Sequence, residues 1–320
     1  MKKLIAMLLA VLMLVSLTAC GGNSADKDDK FVVGVVQLVP HVALDAATQG
    51  FVDRLTEILG EENVEIQVEI AAGDSATCAP IVTEIVSQNV DLIMAYATPA
   101  LQAAEAATGD IPILGTSVTE YGVAMGIENF NGTVGGNVSG TSDLADLEKQ
   151  AAMVKEWFPD AKNVGLLYCS AEPNSKYQVD TVQAFLEGLG YTCKQYPFAD
   201  SNDMAAVTTD AAPNSDVLYL PTDNTLASSV GIIDGICQPA GVPVIAGEEG
   251  ICAGCGVATL SISYYDLGVK TAEMAAQILT GEADISTMAI AYADNITPKY
   301  NAAICEALGI TPVEGYEPIA

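Results

Sequence analysis

Small hydroxyl, amide and carboxylate side chains recur at the points where the apolar segments of this 320-residue chain end. Such groups bind small polar molecules through hydrogen bonds, and a carboxylate can also pair with an ammonium group. We predict that ligand is bound by the side chains of Gln37, Thr98, Thr116, Ser117, Asp143, Asn174, Asp223 and Glu248. Ser, Thr, Asp and Asn are also the favoured helix caps, so capping is an equal alternative for any one of them.

Asp223 and Glu248 are the side chains that would suit a ligand ammonium group. The single arginine, Arg54, falls on the polar side of a predicted helix, so no guanidinium is obvious for a ligand carboxylate. That carboxylate would instead be held by hydroxyls and by main-chain N–H groups at helix starts. If Asp223 holds an ammonium group, we expect Asp223→Ala to abolish ligand binding and to leave the melting of the unliganded protein nearly unchanged.

The residue patterns of common enzymes are missing from the sequence. His41 is the single histidine, so any Ser-His-Asp or Cys-His arrangement would have to include it. There is no GxSxG turn around a serine, no GxGxxG after a strand, and no phosphate loop that ends in GKS or GKT. An enzyme would therefore have to use carboxylates alone, and we predict a binding protein with no catalytic residue.

The eight cysteines do not have the spacing of a disulfide framework. Seven are left once Cys20 is assigned to a lipid, and an odd number cannot pair completely. Cys252 and Cys255 form a CxxC pair, but the flanking glycines favour a loop over the helix start that redox pairs occupy, and one histidine argues against zinc. We predict buried thiols and neither metal nor cofactor, with a Cys169–Cys193 bridge between neighbouring strands as the alternative.

The first twenty residues have the order of a bacterial lipoprotein signal. Two lysines precede an uncharged apolar run over residues 4–15, and the sequence LTA leads into Cys20. This order predicts a signal peptide over 1–19, a lipid on Cys20 and a polar tether over 20–30. A transmembrane anchor, which needs about 20 apolar residues, and ordinary cleavage with Cys20 unmodified are the alternatives. We therefore expect an extracytoplasmic protein that its lipid holds at the bacterial cell membrane.

The chain is strongly acidic, with a net charge of −29. Nucleic acid and anionic lipid surfaces would both repel it, which argues against either as a partner. The charge also repels anions at long range, so an anionic ligand would need hydrogen-bond donors within its own site.

Apolar strands alternate with amphipathic helices from residue 31 onward. The segment 31–39 is nearly all apolar, as expected for a strand that is buried on both faces. The alternation predicts an α/β fold in which helices cover both faces of parallel sheets. The Gly- and Asn-rich segment 118–140 interrupts the series as a crossover. We place one Rossmann-like lobe at 31–140, to which C-terminal segments could return, and a second lobe with closing helices at 141–320.

Several segments, by their order and spacing, resemble the substrate-binding lipoproteins of ABC importers, and most closely the group associated with tryptophan and tyrosine uptake. The segments are 40–51 (PHVALDAATQGF), 111–113 (IPI), 135–142 (GGNVSGTS), 164–168 (VGLLY), 172–175 (EPNS), 221–224 (PTDN) and 301–311 (NAAICEALGIT). The resemblance implies a type I periplasmic-binding-protein fold, with two lobes joined by a hinge. It also implies ABC permease subunits as partners and an aromatic or other amino acid as ligand.

Residues and resemblance together predict a monomeric, membrane-anchored receptor that binds a small molecule between two lobes and delivers it to a permease. One alternative is a sensory lipoprotein that passes its closed form to a signalling partner. Another is an extracellular hydrolase that relies on carboxylates. Neighbouring permease genes would favour transport, and turnover of the bound molecule would favour the hydrolase.

Overall fold

The computed structural model describes residues 30–73 and 75–319. The predicted signal peptide, Cys20 and the tether as far as residue 29 lie outside the described residues. The chain divides into two units after Lys30, and all the strands and helices described below belong to the unit that begins at Phe31. None of its described helices is both long enough and apolar enough to span a bilayer.

Strands and helices alternate along most of the described chain. The strands are β1 (Phe31–Gln37), β2 (Val64–Ile70), β3 (Leu92–Tyr96), β4 (Ile113–Val118), β5 (Val138–Ser142), β6 (Asn163–Cys169), β7 (Thr192–Phe198), β8 (Val217–Leu220), β9 (Val244–Ala246), β10 (Ala258–Ser261), β11 (Ala291–Tyr292), β12 (Thr297–Tyr300) and β13 (Glu317–Pro318). The helices are α1 (Val42–Leu59), α2 (Ser75–Ser87), α3 (Thr98–Ala107), α4 (Tyr121–Met125), α5 (Leu147–Trp157), α6 (Pro173–Gly188), α7 (Ser201–Ala211), α8 (Asn224–Ala227), α9 (Val230–Ala240), α10 (Glu249–Cys255), α11 (Tyr264–Leu279) and α12 (Ala302–Leu308).

The strands form two sheets, one in each lobe. The first has the order β2-β1-β3-β4-β5-β11, and its neighbouring strands are parallel. The second has the order β7-β6-β8-β9-β10-β12-β13, in which β12 runs antiparallel to β10 and the other neighbours are parallel. The prediction of two α/β lobes with parallel sheets is therefore confirmed.

The central strands of the first sheet are buried on both faces. Every residue of β3 and β4 is buried, as are the last five residues of β1. Helices on both sides exclude water from these strands, which explains why their sequences are apolar instead of alternating until the polar residues near their carboxyl ends. The polar residues that end β4 are therefore placed at a rigid, dry edge of the sheet.

The chain crosses between the lobes three times. The first crossing, residues 143–146, leads from β5 in the first sheet to α5 on the core of the second lobe. Residues 262–263 lead back, because α11 packs against the core of the first lobe. Residues 293–296 cross again, since β11 pairs with β5 and β12 pairs with β10. The chain after residue 140 thus supplies one long helix and an edge strand to the first lobe.

Helices α1 and α11 approach closely through two glycines. A Cβ atom on Gly268 would lie 2.0 Å from the main-chain oxygen of Ala47, and one on Gly50 would lie 2.1 Å from that of Tyr265. Real Cβ atoms do not come so near, so only glycine permits this contact at either position. The close packing fixes the start of α11 beside the edge of the first sheet.

Two expectations about local structure are wrong. The segment 118–140 does not cross between domains, because it contains α4 and leads from β4 to β5, which are neighbours in the first sheet. The CxxC pair is not in a loop. Glu248 caps a helix there, and Cys252 and Cys255 both lie buried within α10. Burial raises the pKa of both thiols well above the ordinary value, which makes them poor nucleophiles.

The alternative of a Cys169–Cys193 bridge does not fit the strand register. Cys169 lies opposite Phe198 in the parallel pair of β6 and β7, whereas Cys193 lies opposite Val164. The two cysteines are therefore several residues apart along neighbouring strands. Cys169, Cys193, Cys237, Cys252, Cys255 and Cys305 are free thiols.

Candidate functional site

Strand ends from both sheets meet at a small cavity between the lobes. Ligands of open parallel sheets bind outside the carboxyl ends of the strands, and β4, β6, β8 and β9 all end near this cavity. Its lining comprises His41, Leu44, Ser117, Thr119, Asp143, Asn174, Thr222, Asp223, Asn224, Ala227, Glu248 and Tyr264. Little free space is left inside it, on the order of one water molecule, so the lobes are closed tightly around these side chains.

Five of the predicted binding residues line this cavity. Ser117 comes from the end of β4 in the first lobe, and Asp143 comes from the first crossing between the lobes. Asn174, Asp223 and Glu248 come from the second lobe, each just after a strand. Residues that are distant in sequence are thus brought together by the two sheets and the hinge.

Three predicted residues, Gln37, Thr98 and Thr116, do not line the cavity. Gln37 is buried within the first lobe, where its amide donates to Asp45 Oδ1 and accepts from Thr48 Oγ1, both at 2.8 Å. These bonds attach the end of β1 to α1. Thr98 begins α3, and its buried hydroxyl has no hydrogen-bond partner among the described residues.

Thr116 belongs to a buried chain of hydroxyl groups inside the first lobe. Its Oγ1 lies 2.8 Å from Thr141 Oγ1, which lies 2.8 Å from Thr271 Oγ1 on α11. The three hydroxyls connect β4, β5 and α11. Thr116 therefore has an internal role that its position near a strand end did not reveal.

Asp223 joins two segments of the second lobe. Its Oδ1 accepts from the main-chain N–H of Leu226 at 2.8 Å, which caps α8, and its Oδ2 accepts from the main-chain N–H of Cys169 at 2.8 Å. Burial raises the pKa of this carboxyl group, and the neighbouring Glu172 raises it further, although the two N–H groups act in the opposite direction. Each of its oxygens thus accepts one bond from the protein itself, so neither lacks a partner when no ligand is bound.

Glu172 is a buried carboxylate that sequence reasoning missed. Its Oε1 accepts from the main-chain N–H and the hydroxyl of Thr225, at 2.9 and 2.8 Å. Its Oε2 accepts from the main-chain N–H and the side-chain amide of Asn224, at 3.1 and 2.7 Å. Four donors thus hold the loop after β8 against the loop after β6, and Asn224 is fixed at the cavity wall.

Glu248 caps α10 beside the cavity. Its two oxygens accept from the main-chain N–H groups of Gly250, at 2.6 Å, and Ile251. Burial raises the pKa of Glu248 to about 7, and the charges of Asp143 and Glu249 contribute to the rise. Like Asp223, this side chain lines the cavity with both oxygens already bonded.

Asp143 differs from the other cavity carboxylates. Its Oδ2 accepts from the hydroxyl of Tyr264 at 2.9 Å, whereas its Oδ1 has no hydrogen-bond partner among the described residues. The side chain is 3 % exposed, and burial raises its pKa, an effect that the nearby hydroxyls of Tyr264 and Thr119 reduce. A buried carboxylate oxygen is thus left unsatisfied at the cavity.

Two further cavity-lining atoms are also unsatisfied. Ser117 Oγ and Asn174 Oδ1 are buried and have no hydrogen-bond partner among the described residues. Buried polar atoms in native proteins nearly always have partners, and leaving one unpaired costs about 1–3 kcal/mol. Of the nine buried side-chain atoms without a partner among the described residues, these three lie together in one lining, where a single small molecule could reach all of them.

The main chain at Ser117 is strained. Its φ of +54° lies in the left-handed region that favours glycine, and a non-glycine residue there costs on the order of 1–3 kcal/mol. The register between β4 and β5 shifts between Gly115 and Val118, so Ser117 has no paired residue in β5. The strain turns its hydroxyl out of the sheet at the edge of the cavity.

One hydrogen bond joins side chains of the two lobes across the cavity. His41 Nε2 lies 3.2 Å from Asn224 Oδ1, and His41 Nδ1 accepts the main-chain N–H of Leu44 at 3.5 Å to cap α1. Nδ1 is an acceptor, so the hydrogen lies on Nε2 and is donated to Asn224. Burial lowers the pKa of His41, which favours this neutral form.

The residues that sequence reasoning missed differ in how visible they were. Glu172 and His41 each follow a strand within three or four residues, so the same strand-end rule could have selected them. No sequence pattern near Tyr264 indicates a role at the cavity. It lies at the start of α11, just after the second crossing has led the chain back to the first lobe. Within the described residues, no cluster of His, Cys, Asp and Glu has the arrangement of a metal site.

Two parallel-sheet lobes that enclose a polar cavity at a three-stranded hinge define a binding protein of the type I periplasmic-binding-protein fold. The family described as ABC transporter substrate binding protein matches residues 32–315. The chain therefore belongs to this family of substrate-binding proteins, whose members bind small molecules outside the cytoplasm and interact with permease subunits. This confirms the resemblance seen in the sequence.

Individual relatives cover nearly the whole chain. The tyrosine-binding protein of Clostridioides difficile strain R20291 is 35% identical over 294 residues, which are 88% of this chain and 85% of that protein. A Streptococcus pneumoniae structure, an ABC domain in complex with L-Trp, is 30% identical with a TM-score of 0.86 and covers 91% of this chain and 100% of its own.

A third relative is the ligand-free, open structure of a substrate-binding protein with adhesive properties from Clostridium difficile. It is 37% identical, with a TM-score of 0.68, and covers 90% of this chain and 99% of its own. The present structure thus matches the L-Trp complex better than the open form, although its sequence is nearer to the latter. The small cavity and the His41–Asn224 contact agree with a closed arrangement of the lobes.

Proposed function

We propose that this chain is the extracytoplasmic solute-binding lipoprotein of an ABC importer, and that it binds an aromatic amino acid between its lobes. The family membership supports the transport role. The relatives described as tyrosine-binding and as an L-Trp complex support the class of ligand. The carboxyl ends of strands from both sheets, which meet at one polar cavity, support a site between the lobes.

The observation that carries the proposal is the set of three unsatisfied polar atoms in the lining. Ser117 Oγ belongs to the first lobe, Asp143 Oδ1 to the crossing and Asn174 Oδ1 to the second lobe. A ligand that bonds to all three contacts both lobes at once. Its binding free energy then favours the closed form over the open form, which is how such a receptor reports that it is loaded.

The charges of the lining favour a zwitterion over an anion. Carboxyl groups of three residues face the cavity, and no lysine or arginine is among its lining residues. An ammonium group would stabilise the ionised form of these carboxyl groups, whereas a ligand carboxylate needs neutral donors such as hydroxyl and main-chain N–H groups. Amino acids carry both groups on one carbon atom.

A ligand panel tests the proposal directly. Full-length protein in detergent should unfold at a higher temperature with L-tryptophan or L-tyrosine, but not with leucine, glutamate or glucose. At 100 times the dissociation constant, the ligand should add about 2.7 kcal/mol to the free energy of unfolding. Calorimetric titration would give the affinity. Absence of a shift with every aromatic amino acid, or a shift with glucose alone, would contradict the proposed ligand class.

The lipid anchor requires its own test. Cys20 lies outside the described residues, so the proposal rests on the sequence LTAC after an apolar run. We expect the wild-type chain to fractionate with membranes and to carry a lipid mass on Cys20, and Cys20→Ser to lose the lipid. Cys193→Ser, a change at a half-buried thiol of the folded unit, should leave fractionation unaltered. Unchanged membrane association and mass in Cys20→Ser would refute the anchor.

A further inference from the structure

We propose that Asp143, and not Asp223 or Glu248, binds the ammonium group of the ligand, with Asn174 Oδ1 as a second acceptor. The inference rests on the proposed function, since it takes the ligand to be an amino acid. Asp143 would then be the residue by which the protein distinguishes an amino acid from a carboxylic acid of similar shape that lacks the ammonium group.

The three carboxyl groups of the cavity differ in how many of their oxygens already have a hydrogen-bond partner. Both oxygens of Asp223 accept main-chain N–H groups, and so do both oxygens of Glu248. These bonds cap helices and fasten a loop, so they exist without any ligand. Asp143 alone among these three has an oxygen without a partner. Its other oxygen is fixed by the hydroxyl of Tyr264, which orients the carboxyl group.

The chemistry of the unsatisfied atoms identifies what the ligand must supply. Asp143 Oδ1 and Asn174 Oδ1 are acceptors, and the hydroxyl of Ser117 can accept or donate. The amide nitrogen of Asn174 faces Glu172, Ser175 and Thr222 O at 3.3–3.4 Å, which leaves its oxygen as the free acceptor. A primary ammonium group provides three donors and no acceptor, so it matches this set.

Burial makes this match strong and selective. Asp143 and Asn174 are 3 % and 4 % exposed, and a buried charge without a counterion is costly. Burial also raises the pKa of Asp143, as expected for a carboxyl group that lacks a cation when the cavity is empty. A ligand without the ammonium group would leave both acceptors unpaired, so it should be rejected strongly.

The position of Asp143 adds a link to closure. It follows β5 directly and opens the first crossing between the lobes, whereas Asn174 begins α6 in the second lobe. An ammonium group bonded to both would connect the hinge to the second lobe. Ligand recognition and lobe closure would then depend on the same contact.

The test compares L-tryptophan with indole-3-propionate, which lacks the ammonium group, or the corresponding tyrosine pair. Full-length wild type, Asp143→Asn and Asp146→Asn are titrated by calorimetry. Asp146 is the matched control, because it caps α5 three residues away and asparagine caps equally well. Wild type and Asp146→Asn should prefer the amino acid by about 30-fold or more, the scale for losing one partner of a buried charge pair.

Asp143→Asn should lose at least about 30-fold in affinity for the amino acid and bind both compounds with similar weakness. Its melting temperature without ligand is measured to establish that it folds, and Asp143→Ala is the second variant. Retention of the wild-type preference in either variant, or an equal loss for both compounds, would overturn the role of Asp143. A wild-type protein that binds neither tryptophan nor tyrosine would instead reject the proposed function, and this inference with it.

Discussion

Asp223→Ala is expected to lower the free energy of unfolding of the unliganded protein by about 2–3 kcal/mol, because it removes a helix cap and leaves a buried N–H group unpaired. The carboxyl group caps α8 through Leu226 and also accepts the N–H of Cys169 at the end of β6. Alanine makes neither bond. This revises the expectation from the sequence that the unliganded protein would melt nearly as before.

Asp200→Ala provides the control for this change. Asp200 caps α7 with a single bond, to the N–H of Asn202 at 2.8 Å, and it is exposed to water. Its loss should cost about 0.5–1 kcal/mol, since water replaces the missing partner. Urea unfolding of the two variants measures the difference. Equal losses would show that Asp223 is an ordinary surface-type cap and that its bond to Cys169 contributes nothing.

Gly268→Ala is expected to destabilise the protein by about 3 kcal/mol or more, which is severe for a single methyl group. The new Cβ would lie 2.0 Å from Ala47 O and 2.9 Å from the main-chain nitrogen of Phe51. Main-chain atoms cannot move aside singly, so α1 and α11 must separate. Tyr264 begins α11, so the hydrogen bond from Tyr264 to Asp143 should be disturbed and ligand affinity should fall as well.

Gly235→Ala makes the same chemical change in α9 and should have the opposite sign. Gly235 is exposed, and a Cβ there would meet nothing within 4 Å. Alanine is the better helix former, so the protein should gain about 0.5–1 kcal/mol. Thermal unfolding of the pair compares them in one experiment. A loss in both variants, or in neither, would show that the helix contact does not decide the outcome.

The sequence predicts the lobes well because their strands are buried on both faces. A run such as residues 31–36, which is apolar throughout, is typical of a parallel sheet that helices cover on both sides. The short segments are less visible. β5 carries Ser139, Gly140 and Thr141, which are typical of loops, and it becomes a strand because β4 and β11 lie on either side of it.

The site is predictable where local position decides it and unpredictable where partners decide it. Ser117 lies at the end of β4, Glu248 follows β9 by two residues and Asn174 follows β6 by five, so the strand-end rule places them at the cavity. The rule selects Thr116 equally, but its side chain points to Thr141 within the lobe. Which carboxyl group is left with a free oxygen depends on contacts between segments far apart in sequence, as for Tyr264 and Asp143.

On the proposed function, a carboxyl group that loses water when the lobes close would make the empty receptor resist closure. Asp143, at the first crossing between the lobes, would leave water and gain no cation in return, which would cost free energy. An ammonium-bearing ligand supplies that cation and removes the penalty. In an importer whose permease responds to the closed shape, unloaded receptors would then rarely trigger ATP hydrolysis, so the groups that select the cargo would also guard against futile cycling.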